Sequence, residues 1–200
     1  MKIIGADSGV LCGKVLNIDK FIKATNPNRI YLDVDGVIWH SCQAFCDVVN
    51  KRFGTNVQGN EILSWNFKEL KEDLTDEDVE YVFGDYYFFK CIRWVNGAYD
   101  FIRRYKDKIT IVTKGTCMNL TRKLEEFDAL GLDIAVCGLS LNDSKSSVNM
   151  NGGLLIDDCT NNLIESNATY KIQFLEYKDN KNNIREWTKG WRGLKMYKWS

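Results

Sequence analysis

Asp33 and Asp35 stand one residue apart at the end of a short apolar run, Ile30-Tyr31-Leu32-Asp33-Val34-Asp35, and Gly36 follows at once. Apolar runs of this kind are how strands buried on both faces of a parallel sheet read. Ligands of open α/β sheets gather beyond the carboxyl ends of such strands, so two carboxylates there stand where chemistry is done. Taken alone, the stretch is also the pattern of a strand closing on an Asp-Gly turn. Two further stretches decide for chemistry. Ile109-Thr110-Ile111-Val112-Thr113 ends in a hydroxyl, and Gly153-Leu154-Leu155-Ile156-Asp157-Asp158 ends in a second carboxylate pair. Three strands ending in the order Asp-x-Asp, Thr, Asp-Asp are far more specific than any one of them.

In these motifs the chain resembles the haloacid dehalogenase (HAD) superfamily of phosphohydrolases. The superfamily's four motifs read here as Asp33/Asp35, Thr113, Lys145 and Asp157/Asp158. The resemblance spans roughly residues 29–175. It implies that Asp33 is the nucleophile and forms an aspartyl-phosphate, and that Asp35 protonates the leaving oxygen and then activates water. An acid two residues after the nucleophile belongs to the phosphatase branch rather than the dehalogenase branch. Mg²⁺ is the implied cofactor, since a hard cation takes oxygen ligands. Its ligands would be Asp33, Asp157 and the backbone carbonyl of Asp35, with Asp158 acting through water. Thr113 would bind the phosphoryl group and Lys145 would neutralise its charge. Lys114 and Thr116 are further candidates for phosphate or substrate contact. Lys123 is the alternative third-motif residue. It lies within Arg122-Lys123-Leu124-Glu125, where a solvent-facing lysine is the default, whereas Lys145 precedes the fourth strand by the spacing the family uses.

Within the superfamily the chain is most similar to the 5′(3′)-deoxyribonucleotidases, the cytosolic type C 5′-nucleotidase family. The resemblance is carried by Asp33-Val34-Asp35-Gly36-Val37, an aromatic insert with Trp65 and Phe88-Phe89, Val95-Asn96-Gly97-Ala98, Asp143-Ser144-Lys145-Ser146, and Leu154 to Asp158. It implies a nucleoside monophosphate as substrate, with aromatics holding the base. Trp39, Trp65, Phe88 and Phe89 are the candidate pocket residues, although a small aromatic core explains most rings of the insert. Asn96 replaces a usual Pro, Cys159 stands where Arg often follows the acidic pair, and Lys114-Gly115 is unusual after the second-motif Thr. The rival readings are a HAD phosphatase for another small ester or a nucleic-acid 3′ phosphate, and a catalytically silent HAD-fold binding protein.

The elements that must position these residues alternate between strand and helix, which predicts an α/β doubly wound, Rossmann-like parallel sheet. A helix is expected over Ser41 to Phe53, capped by Ser41 and stopped by Gly54. Thr75 and Asp78 form the pattern of a capping box. A helix over 117–130 would bury Leu120, Leu124, Phe127 and Leu130. The stretch from 36 to 108 is several times longer than a crossover needs, and the resemblance places a C1-type helical cap there. The expected organisation is a catalytic core over 29–40 and 95–200, a cap over 41–94, and an extension over 1–28 without assigned function.

Composition bounds the rest. A chain of 200 residues, 44% hydrophobic and 27% charged, is an ordinary globular protein. It has no apolar run long enough to span a membrane and no signal peptide at its start, so a cytoplasmic protein without a membrane partner is expected. Twenty-seven basic residues balance 27 acidic ones, which argues against a nucleic-acid partner. Seven Cys without a Cys-x-x-Cys pattern, and one His, argue for reduced thiols rather than zinc. The basic tail carries Trp187, Trp191, Tyr197 and Trp199, and its aromatics are expected to pack on the core. Small HAD phosphatases are often dimers, so a homodimer fits the resemblance.

Overall fold

The computed structural model describes residues 4–5, 11–64, 67, 70, 74–176 and 185–199. Ile30–Leu32 (β3) is buried at every position. It pairs in parallel with Ile109–Lys114 (β4) on one side and Leu154–Asp157 (β6) on the other. Ala135–Leu139 (β5) lies beyond β4, and Tyr170–Phe174 (β7) beyond β6. Across the sheet these five strands run in the order β7-β6-β3-β4-β5. The apolar runs at 30–32 and 154–156 occupy the middle of the sheet, where both faces are covered.

The sheet continues further than the motifs require. Leu194–Met196 (β8), from the tail, pairs in parallel with β7, and Leu11–Lys14 (β2) pairs in parallel with β8. Ile4–Gly5 (β1) adds an antiparallel edge. The order is β1-β2-β8-β7-β6-β3-β4-β5, seven strands of it parallel. The described strands before residue 28, β1 and β2, therefore join the same sheet. The helix after them, Ile18–Thr25 (α1), is opened by Asn17, whose side chain accepts from the Lys20 amide at 2.8 Å. It buries Ile18, Phe21 and Ile22.

The chain leaves the sheet after a tight turn at 34–39 and returns near Val95. The two connecting pieces are tied together, His40 N–H to the Arg93 carbonyl at 2.9 Å and Val95 N–H to the Ile38 carbonyl at 2.8 Å. Between them lie Ser41–Phe53 (α2), Asp76–Gly84 (α3) and Tyr86–Cys91 (α4). Thr75 and Asp78 make the capping box expected of them, and Gly54 ends α2 in the left-handed region at φ 68°. The cap of α2 differs from expectation. His40, not Ser41, is its N-cap, and the Ser41 hydroxyl is engaged elsewhere. Phe45, Phe67, Phe83 and Phe88 fill the middle of this insert, with centroids 4.3–5.8 Å apart along the chain of contacts. Such pairs each add about 0.5–1.5 kcal/mol beyond area burial.

Ala98–Tyr105 (α5), Cys117–Ala129 (α6) and Thr160–Glu165 (α7) complete the layers. The α6 helix turns a different face inward from the one its leucines suggest. Leu124 and Leu130 are 49% and 39% exposed, whereas Asn119, Lys123 and Phe127, spaced by four, are buried. Among the described residues no helix is long and apolar enough to cross a membrane.

Candidate active site

Asp33, Asp35, Thr113 and Asp157 meet at the carboxyl ends of three neighbouring strands, because β3 runs between β4 and β6 in parallel register. Asp33, Asp157 and Asp158 bring one carboxylate oxygen each within 4.8 Å of one another. Gly36 makes this approach possible. It sits at φ 72°, and a Cβ there would lie 2.8 Å from Asp158 Oδ2.

Two buried lysines serve the carboxylates. Lys145 lies on a short 3-10 turn, Lys145–Ser147, opened by Ser144, and has no exposed surface. Its Nζ donates to Asp33 Oδ1 and to Asp157 Oδ2, both at 2.6 Å. Lys123 is the correction. In place of the solvent-facing residue expected mid-helix, it is fully buried. Its Nζ donates to Asp35 Oδ2 at 2.5 Å, to Thr113 Oγ1 at 2.8 Å and to the Lys114 carbonyl at 3.2 Å. The reason is the rotation of α6, whose polar positions 119 and 123 face the strand ends. An ammonium only donates, so the Thr113 oxygen accepts and its own proton remains available to another acceptor. The Ser41 hydroxyl donates to Asp35 Oδ1 at 2.6 Å, so both Asp35 oxygens are engaged. Asp157 also accepts from the Cys159 N–H at 2.8 Å and from Asn162 Nδ2 at 3.2 Å.

Burial dominates the electrostatics. It pushes Asp33 up to about 6, against the lowering pull of the Lys145 ammonium. Burial, with the charges of Asp157 and Asp33 added, holds the Asp158 carboxyl well above the usual range, while the Trp187 hydrogen bond works to lower it. For Lys145 burial works toward lowering, but Asp157 and Asp33 together outweigh it and the ammonium is held above its ordinary value. Four acids, Asp33, Asp35, Asp157 and Asp158, share two ammonium groups and are short of positive charge. An all-oxygen, carboxylate-rich donor set of this kind suits a hard divalent cation better than a soft one. Cys159 borders the cavity, but burial pushes its thiol up to about 11 and leaves it un-ionised at neutral pH.

A cavity of about 400 Å³ opens above these groups. Asp33, Asp35 and Asp158 border it from the motifs, and Lys114, Gly115 and Thr116 from the end of β4. Its walls include Phe67, Val79 and Phe83 from the insert and Leu141 from the loop after β5. Three of the four candidate pocket aromatics fall elsewhere. Trp39 is 1% exposed and stacks on Phe127 at 5.2 Å, and Phe88 and Phe89 are equally part of the core. They pack there because α2, α4 and α6 need large apolar contacts where they meet. Trp65 lies outside the described residues. The rings at the cavity, Phe67 and Phe83, belong to the same cluster and differ only in standing at its edge.

The sequence pattern of the family described as "5′ nucleotidase, deoxy (Pyrimidine), cytosolic type C protein" matches residues 27–194. The chain belongs to this family of HAD-like phosphatases. The fold agrees with solved structures across the superfamily. A haloacid dehalogenase-like hydrolase from Streptococcus pneumoniae superposes with a TM-score of 0.57 at 11% identity, over 87% of this chain and 95% of that one. A HAD-superfamily hydrolase of subfamily IA from Geobacter sulfurreducens gives 0.51 at 13% identity, over 86% and 95%. The HAD-hydrolase YfnB from Bacillus subtilis, bound to magnesium, gives 0.50 at 14% identity, over 86% and 95%. No curated protein matches the chain in sequence.

Proposed function

We propose that this HAD-family phosphatase dephosphorylates nucleoside or deoxynucleoside monophosphates through an aspartyl-phosphate on Asp33, with a divalent cation, Mg²⁺ by its chemistry, as cofactor. The observation that carries the reading is the division of labour between the two lysines. Lys145 holds Asp33 against Asp157, while Lys123 holds Asp35 against Thr113. Two aspartates two residues apart thus have separate partners and can take separate roles. Family membership and the aromatic walls at Phe67 and Phe83 support a nucleoside as the group carried by the phosphate. Residues 41–94 act as the cap that closes over it, and the cytoplasm fits the family's description.

Asp33, ionised, attacks phosphorus, and the bond to the leaving oxygen breaks. With Oδ2 of Asp35 accepting from Lys123, the proton given to the leaving oxygen rides on Oδ1, where the Ser41 hydroxyl can turn from donor to acceptor. Asp35, now ionised, takes a proton from water as that water attacks the aspartyl-phosphate. The bond between phosphorus and Asp33 breaks, phosphate departs, Asp33 is restored as a carboxylate and Asp35 as the protonated acid. The Thr113 proton, free because Lys123 occupies the oxygen, bonds a phosphoryl oxygen. Asp33, Asp157 and the Asp35 carbonyl would hold Mg²⁺, with Asp158 acting through water. When bound, the ion supplies neutralisation of phosphoryl charge that the two ammonium groups leave incomplete.

The test is phosphate release from deoxy- and ribonucleoside monophosphates, sugar phosphates and 3′-phosphorylated oligonucleotides, with and without Mg²⁺. Nucleotide turnover that needs Mg²⁺ is expected, and Asp33→Asn should abolish it while leaving the fold intact, seen as a single cooperative unfolding transition. Turnover confined to another ester would overturn the substrate, and an active Asp33→Asn variant would overturn the mechanism.

A further inference from the structure

The tail reaches the acidic cluster. Trp187 lies on a one-turn 3-10 helix, Glu186–Thr188, and its Nε1 donates to Asp158 Oδ2 at 2.7 Å. The side chain is buried. An indole N–H can only donate, so this contact is specific for an oxygen of Asp158 that accepts. Lys145 serves Asp33 and Asp157, and the hydrogen bond to Asp158 comes from Trp187.

The turn carrying Trp187 is fastened on several sides. Arg185 Nη2 donates to the Gly59 carbonyl at 2.7 Å, and Nη1 to Glu176 Oε2 at 3.1 Å. The Glu186 N–H donates to the Leu63 carbonyl at 2.7 Å. Gln173, fully buried at the end of β7, donates from Nε2 to the Thr188 carbonyl at 3.1 Å and to the Asp158 carbonyl at 3.0 Å. One amide thus binds the tail turn and the acidic loop together. The Arg185 guanidinium lies 5.2 Å above the Trp187 ring. Apolar packing alone would not require a polar clamp on both flanks of the indole, nor aim its N–H at a carboxylate. Trp199 shows the alternative. It too is buried, but its Nε1 donates to a backbone carbonyl, that of Val37, at 3.0 Å.

We propose that Trp187 is a positioning residue of the phosphatase site: its indole N–H fixes Asp158 Oδ2 and leaves the other oxygen free to serve the divalent cation. The inference rests on the cation reading given above. Outer partners of metal-binding carboxylates commonly set affinity in this way.

The experiment is Mg²⁺ binding by calorimetry to the full chain, free of substrate, in the wild type, Trp187→Phe, Trp199→Phe and Asp157→Asn. Trp187→Phe keeps a ring and loses the N–H. Mg²⁺ affinity is expected to fall about ten-fold in Trp187→Phe and to stay at the wild-type value in Trp199→Phe. In a ¹⁵N–¹H spectrum of the wild type, the indole signal that is missing from Trp187→Phe should move on Mg²⁺ addition. Unchanged or tighter binding by Trp187→Phe overturns the proposal and leaves the cation reading standing. Wild type that binds no Mg²⁺, or binds it no better than Asp157→Asn, overturns both. If Trp187→Phe does not fold, the Trp187 indole signal is assigned by sequential connectivity in the wild type, and its indifference to Mg²⁺ overturns the proposal.

Discussion

Asp33 and Asp35 have the same side chain and sit two residues apart, yet their surroundings differ completely. Asp33 is buried against Lys145, and Asp35 is held between Lys123 and Ser41. Lys123→Met should lower kcat by about a hundred-fold or more, the scale of a lost acid–base function, with little change in KM. Comparable loss in KM would mean that Lys123 binds substrate instead. Asp33 also gives a pH signature. Its folded value of about 6 lies above the ordinary 3.8, so the folded state binds more protons than the unfolded one between these values. Stability contributed by this group is therefore present at low pH and lost as pH rises through about 6. In EDTA, the unfolding temperature of the wild type should drop more between pH 4.5 and 7.5 than that of Asp33→Asn. Parallel curves would show that Asp33 titrates normally.

At the scale of elements, the contact between α6 and α3 joins the core to the insert. Asn119 is buried on α6, and its Nδ2 donates to the Phe83 carbonyl at 2.7 Å. That carbonyl is in the last turn of α3, where helical carbonyls lack an intrahelical partner. Phe83 itself borders the cavity, so the bond holds a wall of the pocket in place. Asn119→Leu keeps the side-chain volume and removes the donor. Amide hydrogen exchange across 76–91 should quicken in this variant while that of β3, β4 and β6 stays unchanged. Equal exchange in both would mean that ring packing alone secures the insert. The turn at Gly36 works at the same scale. A side chain there meets Asp158, so the loop after β3 and the loop after β6 are built to touch.

For the whole molecule, the tail is structural as well as local to the site. β8 lies between β2 and β7, and the segment buries Trp187, Leu194, Met196 and Trp199. At about 1.5–3 kcal/mol for each large apolar side chain, their loss matches most of the 5–15 kcal/mol typical of a domain. A chain ending at residue 176 should show no cooperative thermal unfolding. A sharp transition near the wild-type temperature would show that the five central strands fold alone. His40, paired with Glu176, and Arg185, paired with the same carboxylate, tie the start of α2, the end of β7 and the tail into one body.

Much of this was written locally. Runs such as Ile30-Tyr31-Leu32 and Leu154-Leu155-Ile156 are apolar at every position because both faces of a central parallel strand are covered, and a carboxylate directly after such a run has to emerge at the sheet's carboxyl edge. The central strands and the meeting of Asp33, Thr113 and Asp157 followed from that, and the capping box from the residue types at Thr75 and Asp78; the edge strands β1, β2 and β8 did not. The roles of Lys123, Ser41 and Trp187 did not. Each depends on which way a helix is rotated or where a distant turn is fastened, and those are settled by long-range packing. On α6 the leucines point one way by periodicity, yet the helix buries Asn119 and Lys123 because the strand ends offer carboxylate, hydroxyl and carbonyl partners. The same holds for the aromatics. Composition showed that the insert would be held by rings, but whether Phe83 or Phe88 faces the cavity was decided only when the helices came together.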